Sequence, residues 1–115
     1  MVNSTKWTPG PSKIHGNGAM ASRRINAKEN IGPVITGLKG GGLLGGDRTR
    51  LGDLVNHQSD PNSQMKRVPG RTDHYYLKSL DKIDPGSEIT MDYNDTPWFV
   101  AKPEDLDPKG YKSWG

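Results

Sequence analysis

The stretch LVNHQSDPN, residues 54–62, decides the fold of this chain. Its two apolar residues lead directly into Asn56 and His57, and a polar turn then closes on Pro61 and Asn62. Folding a small soluble domain does not by itself call for an Asn-His pair at such a point. The stretch is therefore either a capped polar turn or part of a binding site, and the surrounding sequence has to distinguish the two.

The composition restricts the class of protein. The chain has 115 residues, which favours one domain, and its 16 Lys and Arg against 13 Asp and Glu give a net charge of +3 without a long run of like charges. Cysteine is absent, which excludes disulfides, zinc–thiolate sites and cysteine nucleophiles. The first twenty residues lack the apolar region of a signal peptide, and no apolar run is long enough to cross a membrane, so we expect an intracellular protein.

The hydrophobic periodicity predicts a helix-poor, mostly β fold with many loops, in keeping with 15 Gly and 9 Pro. The aromatic alternation of HYYLKSL, residues 74–80, is the clearest strand signal. Further strands are predicted in a hairpin around Gly16-Asn17-Gly18 and at 33–36, 63–67 and 88–93. The segment 47–55 is ambiguous, and one reading is a single helical turn with Asp47 as its cap and with Leu51, Leu54 and Val55 facing inward. A glycine-rich loop precedes it at 37–46.

Three segments, taken in order, resemble the SET domain of protein lysine methyltransferases. They are HGNGAMASRRINAKENI (15–31), LVNHQSDPN (54–62) and IDPGSEITMDYND (83–95). The resemblance covers about residues 12 to 100, and the compact, cysteine-free chain is similar to the small stand-alone viral and bacteriophage SET proteins. It implies a mostly β, β-clip type fold of small curved sheets with a C-terminal pseudoknot, in which the chain near Asn56-His57 is threaded beneath a loop.

The resemblance also implies a division of the chain. Residues 1–11 would be an N-terminal lead-in, and 12–100 the SET domain with a shortened glycine-rich insert at 36–53. Residues 101–115 would be a C-terminal aromatic tail in the position of the family's post-SET segment, without zinc.

The resemblance implies that S-adenosylmethionine donates a methyl group to the ε-amine of a lysine in a protein substrate. It assigns the Asn56 amide to the methionine end of this cofactor, the His57 backbone to the adenine edge, and the Tyr93 hydroxyl to the point of methyl transfer. The other implied cofactor contacts are His15, Gly16, Asn17, Gly18 and Trp98. The implied substrate contacts are Tyr75, Tyr76, Met91 and Tyr111.

The residues alone leave other readings open for several of these positions. The glycine turn at 16–18 could be a plain hairpin turn, and Tyr93, Tyr75 and Tyr76 could be core aromatics. The insert at 36–53 carries no aromatic for a lysine channel, so the tail or a partner subunit would have to complete it. Lys28 stands where the family has a turn glycine, which predicts a different turn conformation.

A catalytically weak or inactive SET scaffold that binds a peptide or nucleic acid is therefore the alternative function. Its contacts would be the basic residues Arg23, Arg24, Lys66, Arg67 and Arg71. The expected partner is a protein with a target lysine, and a homodimer is a further expectation. Nucleic acid, membrane and metal are not expected partners, and the cytoplasm of a bacterial host or of a virus-infected cell is the expected location.

Overall fold

A computed structural model describes residues 6–37, 48–71 and 73–95 of the chain. Within these ranges, seven short strands form two small sheets, one short helix lies beside them, and a 3₁₀ turn at Tyr93–Asp95 follows the last strand. No helix in these three ranges is long and apolar enough to cross a membrane. The elements are β1 (Trp7–Pro11), β2 (Asn17–Ala21), β3 (Asn30–Thr36), α1 (Arg50–Leu54), β4 (Asn56–His57), β5 (Ser63–Arg67), β6 (His74–Ser79) and β7 (Glu88–Met91).

The first sheet has the strand order β1-β2-β7-β4. Strands β1 and β2 form an antiparallel hairpin in which Pro11 pairs with Asn17, so the predicted hairpin exists with its turn before Asn17. Strand β1 lies within the segment predicted as a lead-in. Strand β7 is central, antiparallel to β2 and parallel to β4.

The second sheet has the order β3-β6-β5 and is antiparallel throughout. Its central strand β6 is the predicted HYYLKSL strand, and β5 has the predicted bounds 63–67. The predicted strand at 33–36 begins earlier, at Asn30. Together the two sheets confirm a mostly β fold of small sheets.

The hydrophobic core lies between the sheets and the helical turn α1. Among the described residues twelve apolar side chains are buried, and most are aliphatic. Leu51 and Val55 are buried as predicted, whereas Leu54 is only half-buried. The helix is capped by Thr49, whose hydroxyl accepts a hydrogen bond from the Gly52 N–H at 3.1 Å; the predicted cap Asp47 lies outside the described residues. The core members are Ala19, Ala21, Ile25, Ile31, Val34, Ile35, Leu51, Val55, Leu77, Ile83, Ile89 and Met91.

The turn at Lys28 has the conformation that a glycine would give it. Lys28 has φ +63°, which is the left-handed region, so the prediction of a different turn conformation is wrong. The turn is held from outside, because the Lys28 N–H donates to the Ser79 carbonyl at 3.0 Å and the Glu29 N–H donates to the Ser79 hydroxyl at 2.9 Å. These tertiary hydrogen bonds offset the backbone strain of a side chain at this position.

The stretch 54–62 wraps around β7, which explains its composition. Asn56 and His57 pair with Thr90 and Met91 as strand β4. Five residues after His57, the Asn62 side chain accepts from the Thr90 N–H at 2.9 Å and donates to the Glu88 carbonyl at 2.8 Å. The Asn62 side-chain amide thus makes the hydrogen bonds that the backbone of a neighbouring strand would make. The segment therefore contacts β7 both at β4 and at Asn62.

Candidate active site

A cavity of about 370 Å³ opens beside β4. Its lining comes from three parts of the chain that are distant in sequence: the loop before β2, strand β4, and the turn after β7. The fold therefore brings one piece of each of the three SET-like segments to the same place. The described residues that line the cavity are Ile14, His15, Asn56, His57 and Tyr93.

Strand β4 holds Asn56 and His57 rigidly, since they are only 8% and 7% exposed. The amide nitrogen of Asn56 lies 2.8 Å from the Glu88 carboxylate, 3.0 Å from the Ser12 hydroxyl and 3.1 Å from the His15 carbonyl. All three of these neighbours can accept a hydrogen bond. The nitrogen end of the amide is therefore fixed inside the protein, away from any ligand.

His57 and Tyr93 form the opposite wall. The backbone N–H of Tyr93 donates to His57 Nδ1 at 3.0 Å, so this ring nitrogen acts as an acceptor. The two rings are in tilted contact, with centroids 5.2 Å apart. This contact and the hydrogen bond join the 3₁₀ turn after β7 to strand β4.

The Tyr93 hydroxyl donates to the Val55 carbonyl at 2.7 Å. Burial raises the pKa of this phenol; the charge of Glu88 adds to the rise, and Arg48 opposes it. The group therefore stays protonated and neutral near pH 7. Because its proton is committed to Val55, its oxygen can act only as an acceptor towards a further group.

The loop between β1 and β2 is built on the Ser12 side chain. The Ser12 hydroxyl accepts from the Ile14 N–H at 2.8 Å and from the His15 N–H at 3.2 Å, and the Ser12 N–H donates to the Gly16 carbonyl. Gly16 has φ +48°, which is the reason for a glycine at the turn. Asn17 is exposed at the start of β2. His15 lines the cavity, whereas Gly16 and Asn17 are not among its described lining residues.

Gly18 has a different reason for being glycine. It is buried, and a Cβ at this position would meet the Glu88 carboxylate and would lie 3.2 Å from Asn56 Nδ2. The backbone at Gly18 thus makes room for the contact between Glu88 and Asn56. Its predicted contact with a cofactor stays a prediction.

The predicted substrate residues either are not among the described lining residues of this cavity or lie outside the described residues. Tyr75 and Tyr76 are half-buried on β6, in the other sheet, and Tyr75 packs against the core. Met91 is 1% exposed and belongs to the core. Their contacts with a substrate stay predictions. Trp98 and Tyr111 lie outside the described residues.

The structure adds residues that the sequence did not indicate, namely Ser12, Ile14 and Glu88. Ile14 is one of two large apolar side chains that are exposed among the described residues, at 42%, and it lies on the cavity. Glu88 and Ser12 carry no spacing signal, since each acts through a partner more than thirty positions away. Ile14 has one signal in the sequence: it is an apolar residue placed directly before the predicted cofactor loop.

Within residues 6–37, 48–71 and 73–95, no group of three His, Cys, Asp or Glu side chains could hold a metal ion. The polar groups of the cavity are instead amide, imidazole, phenol and main-chain groups. These groups recognise an organic ligand by hydrogen bonding.

Comparisons with known proteins agree with this architecture. No curated protein matches the chain. A crystal structure of a Plasmodium falciparum protein, described as a candidate histone methyltransferase, aligns with a TM-score of 0.59 and 18% identity over 81% of this chain and 96% of that one, which shows a shared fold. The family model of the SET domain matches residues 36–94, more than half of the chain. The chain therefore belongs to the SET domain family.

Proposed function

We propose that this protein transfers a methyl group from S-adenosylmethionine to the ε-amine of a lysine in a protein substrate. The observation that carries the proposal is the cavity, in which His15, Asn56, His57 and Tyr93 meet from three distant segments. Each of these four residues was expected at a methyl-transfer site from the family resemblance. Membership of the SET domain family supports the same reaction class.

The residues present fit the cofactor. A cavity of about 370 Å³ lies within the range of about 300–1,000 Å³ that is usual for ligands of this size. Polar groups at Asn56 and His15 suit an amino-acid end, while Ile14 and the buried wall at His57 suit a nucleoside. When bound, the cofactor supplies an activated methyl group on a positively charged sulfur.

The protein's own contribution is to hold the lysine amine in line and to keep it neutral. An amine has to lose a proton before it can attack, and a partly dry cavity beside a positive sulfur lowers the pKa of an amine. Tyr93 suits this task, because its neutral oxygen can accept a hydrogen bond from the amine and fix the direction of its lone pair. With the cofactor bound, its C–S bond would break as the N–C bond forms, and the methylated amine would release its surplus proton to solvent.

The remaining expectations belong to this proposal as well. The substrate is a protein with an accessible lysine, and the lysine channel is completed by the tail that carries Tyr111 or by a second copy of the chain. The cytoplasm of a bacterial host or of a virus-infected cell stays the expected location, and a chain without cysteine can fold there because it needs no disulfide. The viral or bacteriophage origin rests on the compact, cysteine-free sequence alone.

Calorimetry with S-adenosylhomocysteine tests the cofactor, and labelled S-adenosylmethionine with a host lysate tests the chemistry. We expect one binding site, weakened about tenfold or more by Asn56→Ala and little changed by Asp81→Ala, an exposed control. We expect Tyr93→Phe to slow labelling by about 10–100-fold while S-adenosylhomocysteine still binds. Binding without any lysine labelling would favour the inactive binding scaffold, and labelling unchanged by Tyr93→Phe would remove the role assigned to Tyr93.

A further inference from the structure

A compact polar cluster lies behind the cavity wall and consists of Ser12, Asn56 and Glu88. The Ser12 hydroxyl donates to the Glu88 carboxylate at 2.8 Å, and the Asn56 amide nitrogen donates to both Ser12 and Glu88. The cluster joins the loop before β2, strand β4 and strand β7. These are the elements that frame the cavity.

The cluster decides which end of the Asn56 amide faces outward. If the amide were reversed, its oxygen would oppose the Glu88 carboxylate and the His15 carbonyl, and three acceptors would be in contact. The observed orientation is therefore strongly preferred. No described residue donates to the Asn56 oxygen, and no described buried side-chain atom lacks a partner, so this oxygen is open to solvent.

We propose that Ser12 and Glu88 are positioning residues: they hold the Asn56 amide with its oxygen towards the cavity, to accept a hydrogen bond from a cationic amine of the ligand. This inference rests on the proposed function, in which the amine is the ammonium group at the methionine end of the cofactor. The Ser12 hydroxyl performs two tasks at once, because it also fixes the loop that carries Ile14 and His15.

The charge of Glu88 has the right sign for such a ligand. Glu88 is half-buried and forms no ion pair with any described residue. The Glu88 carboxylate accepts a hydrogen bond from Asn56, which lines the cavity, so its negative electrostatic potential extends into the cavity. A ligand with a cationic end is therefore favoured over one that ends in a neutral group.

The first test compares two ligands by calorimetry. S-adenosylhomocysteine has the amino-acid end, whereas 5′-methylthioadenosine lacks it. We expect Ser12→Ala and Glu88→Ala each to weaken the binding of S-adenosylhomocysteine about tenfold and that of 5′-methylthioadenosine less than twofold. Ser12→Thr, which keeps the hydroxyl, should retain most of the affinity, whereas Glu88→Gln, which keeps an acceptor but loses the charge, should show a loss smaller than that of Glu88→Ala. Ser87→Ala and Asp81→Asn are matched surface controls.

The second test needs no ligand. In a ¹⁵N NMR spectrum the Asn56 side-chain amide protons should be well separated and slow to exchange. Ser12→Ala and Glu88→Ala should move them towards the values of a free amide, whereas Ser12→Thr should not.

Three results would overturn the inference. Equal losses for both ligands would mean that the cluster only stabilises the fold, and unchanged affinities with unmoved amide signals would mean that it does not position Asn56. If the wild-type protein bound neither compound, the proposed function itself would fail, and the inference would fall with it.

Discussion

Replacing Gly18 by alanine probes the contact that holds the cavity wall. The added Cβ would meet the Glu88 carboxylate and would lie 3.0 Å from its carboxyl carbon and 3.2 Å from Asn56 Nδ2. Glu88 must then swing away, and it loses its hydrogen bonds from Ser12 and Asn56. Each hydrogen bond to a charged group contributes about 1.5 kcal/mol, and alanine recovers about 0.5–1 kcal/mol of backbone entropy. We expect a net loss of about 2 kcal/mol.

Urea denaturation measures this loss, and a double-mutant cycle identifies its cause. The melting temperature should fall by about 10 °C in Gly18→Ala. In a Glu88→Ala background, where the obstructing carboxylate is gone, the same change should cost less than about 0.5 kcal/mol. An equal cost of Gly18→Ala in both backgrounds would refute the reasoning, because the strain would then lie elsewhere than at Glu88.

Three further predictions concern the frame around the site. Lys28→Gly should raise the free energy of unfolding by about 1 kcal/mol by relieving the positive φ, while Lys28→Ala should not; equal effects of both would contradict the strain. Gly52→Ala should lower the free energy of unfolding by about 2 kcal/mol or more, because the new Cβ would lie 2.5 Å from the Val34 carbonyl oxygen. A loss below about 0.5 kcal/mol in urea denaturation would show that the helix shifts to accommodate the methyl group. The Asn26 backbone N–H, Lys6 and Arg23 lower the pKa of Glu29 from 4.5 to about 2, so its stabilisation is complete above pH 4.5 and disappears towards pH 2. Glu29→Gln should therefore cost about 1 kcal/mol at pH 6, after allowance for solvent screening, and only a small fraction of that at pH 2; a pH-independent cost in denaturation curves would contradict the ion pairing.

Residue patterns within a short stretch of sequence predicted the strands and the helical turn that form from neighbouring residues. The alternation in HYYLKSL identified β6, and the apolar spacing around Leu51 identified the single helical turn. The position of Asn62 could not be predicted in this way. Its side chain hydrogen-bonds to the backbone of β7, and this contact forms only once the chain has folded around that strand.

The candidate site shows the same division between local and tertiary information. Asn56, His57, His15 and Tyr93 were expected from their motifs, and the fold places all four on one cavity. Glu88 and Ser12 support them through contacts that no spacing reveals. The left-handed Lys28 was misjudged because its strain is offset by Ser79, fifty-one positions away.

Backbone amide NMR during a titration with S-adenosylhomocysteine tests the central claim most directly, because it locates the ligand on the fold. We expect saturable shifts that cluster at Ile14–Gly18, at Asn56–Gln58 and at Tyr93, with small changes along β6. Shifts confined to β6 and its neighbours, or no shifts at all, would contradict the claim that the three distant segments form one cofactor cavity.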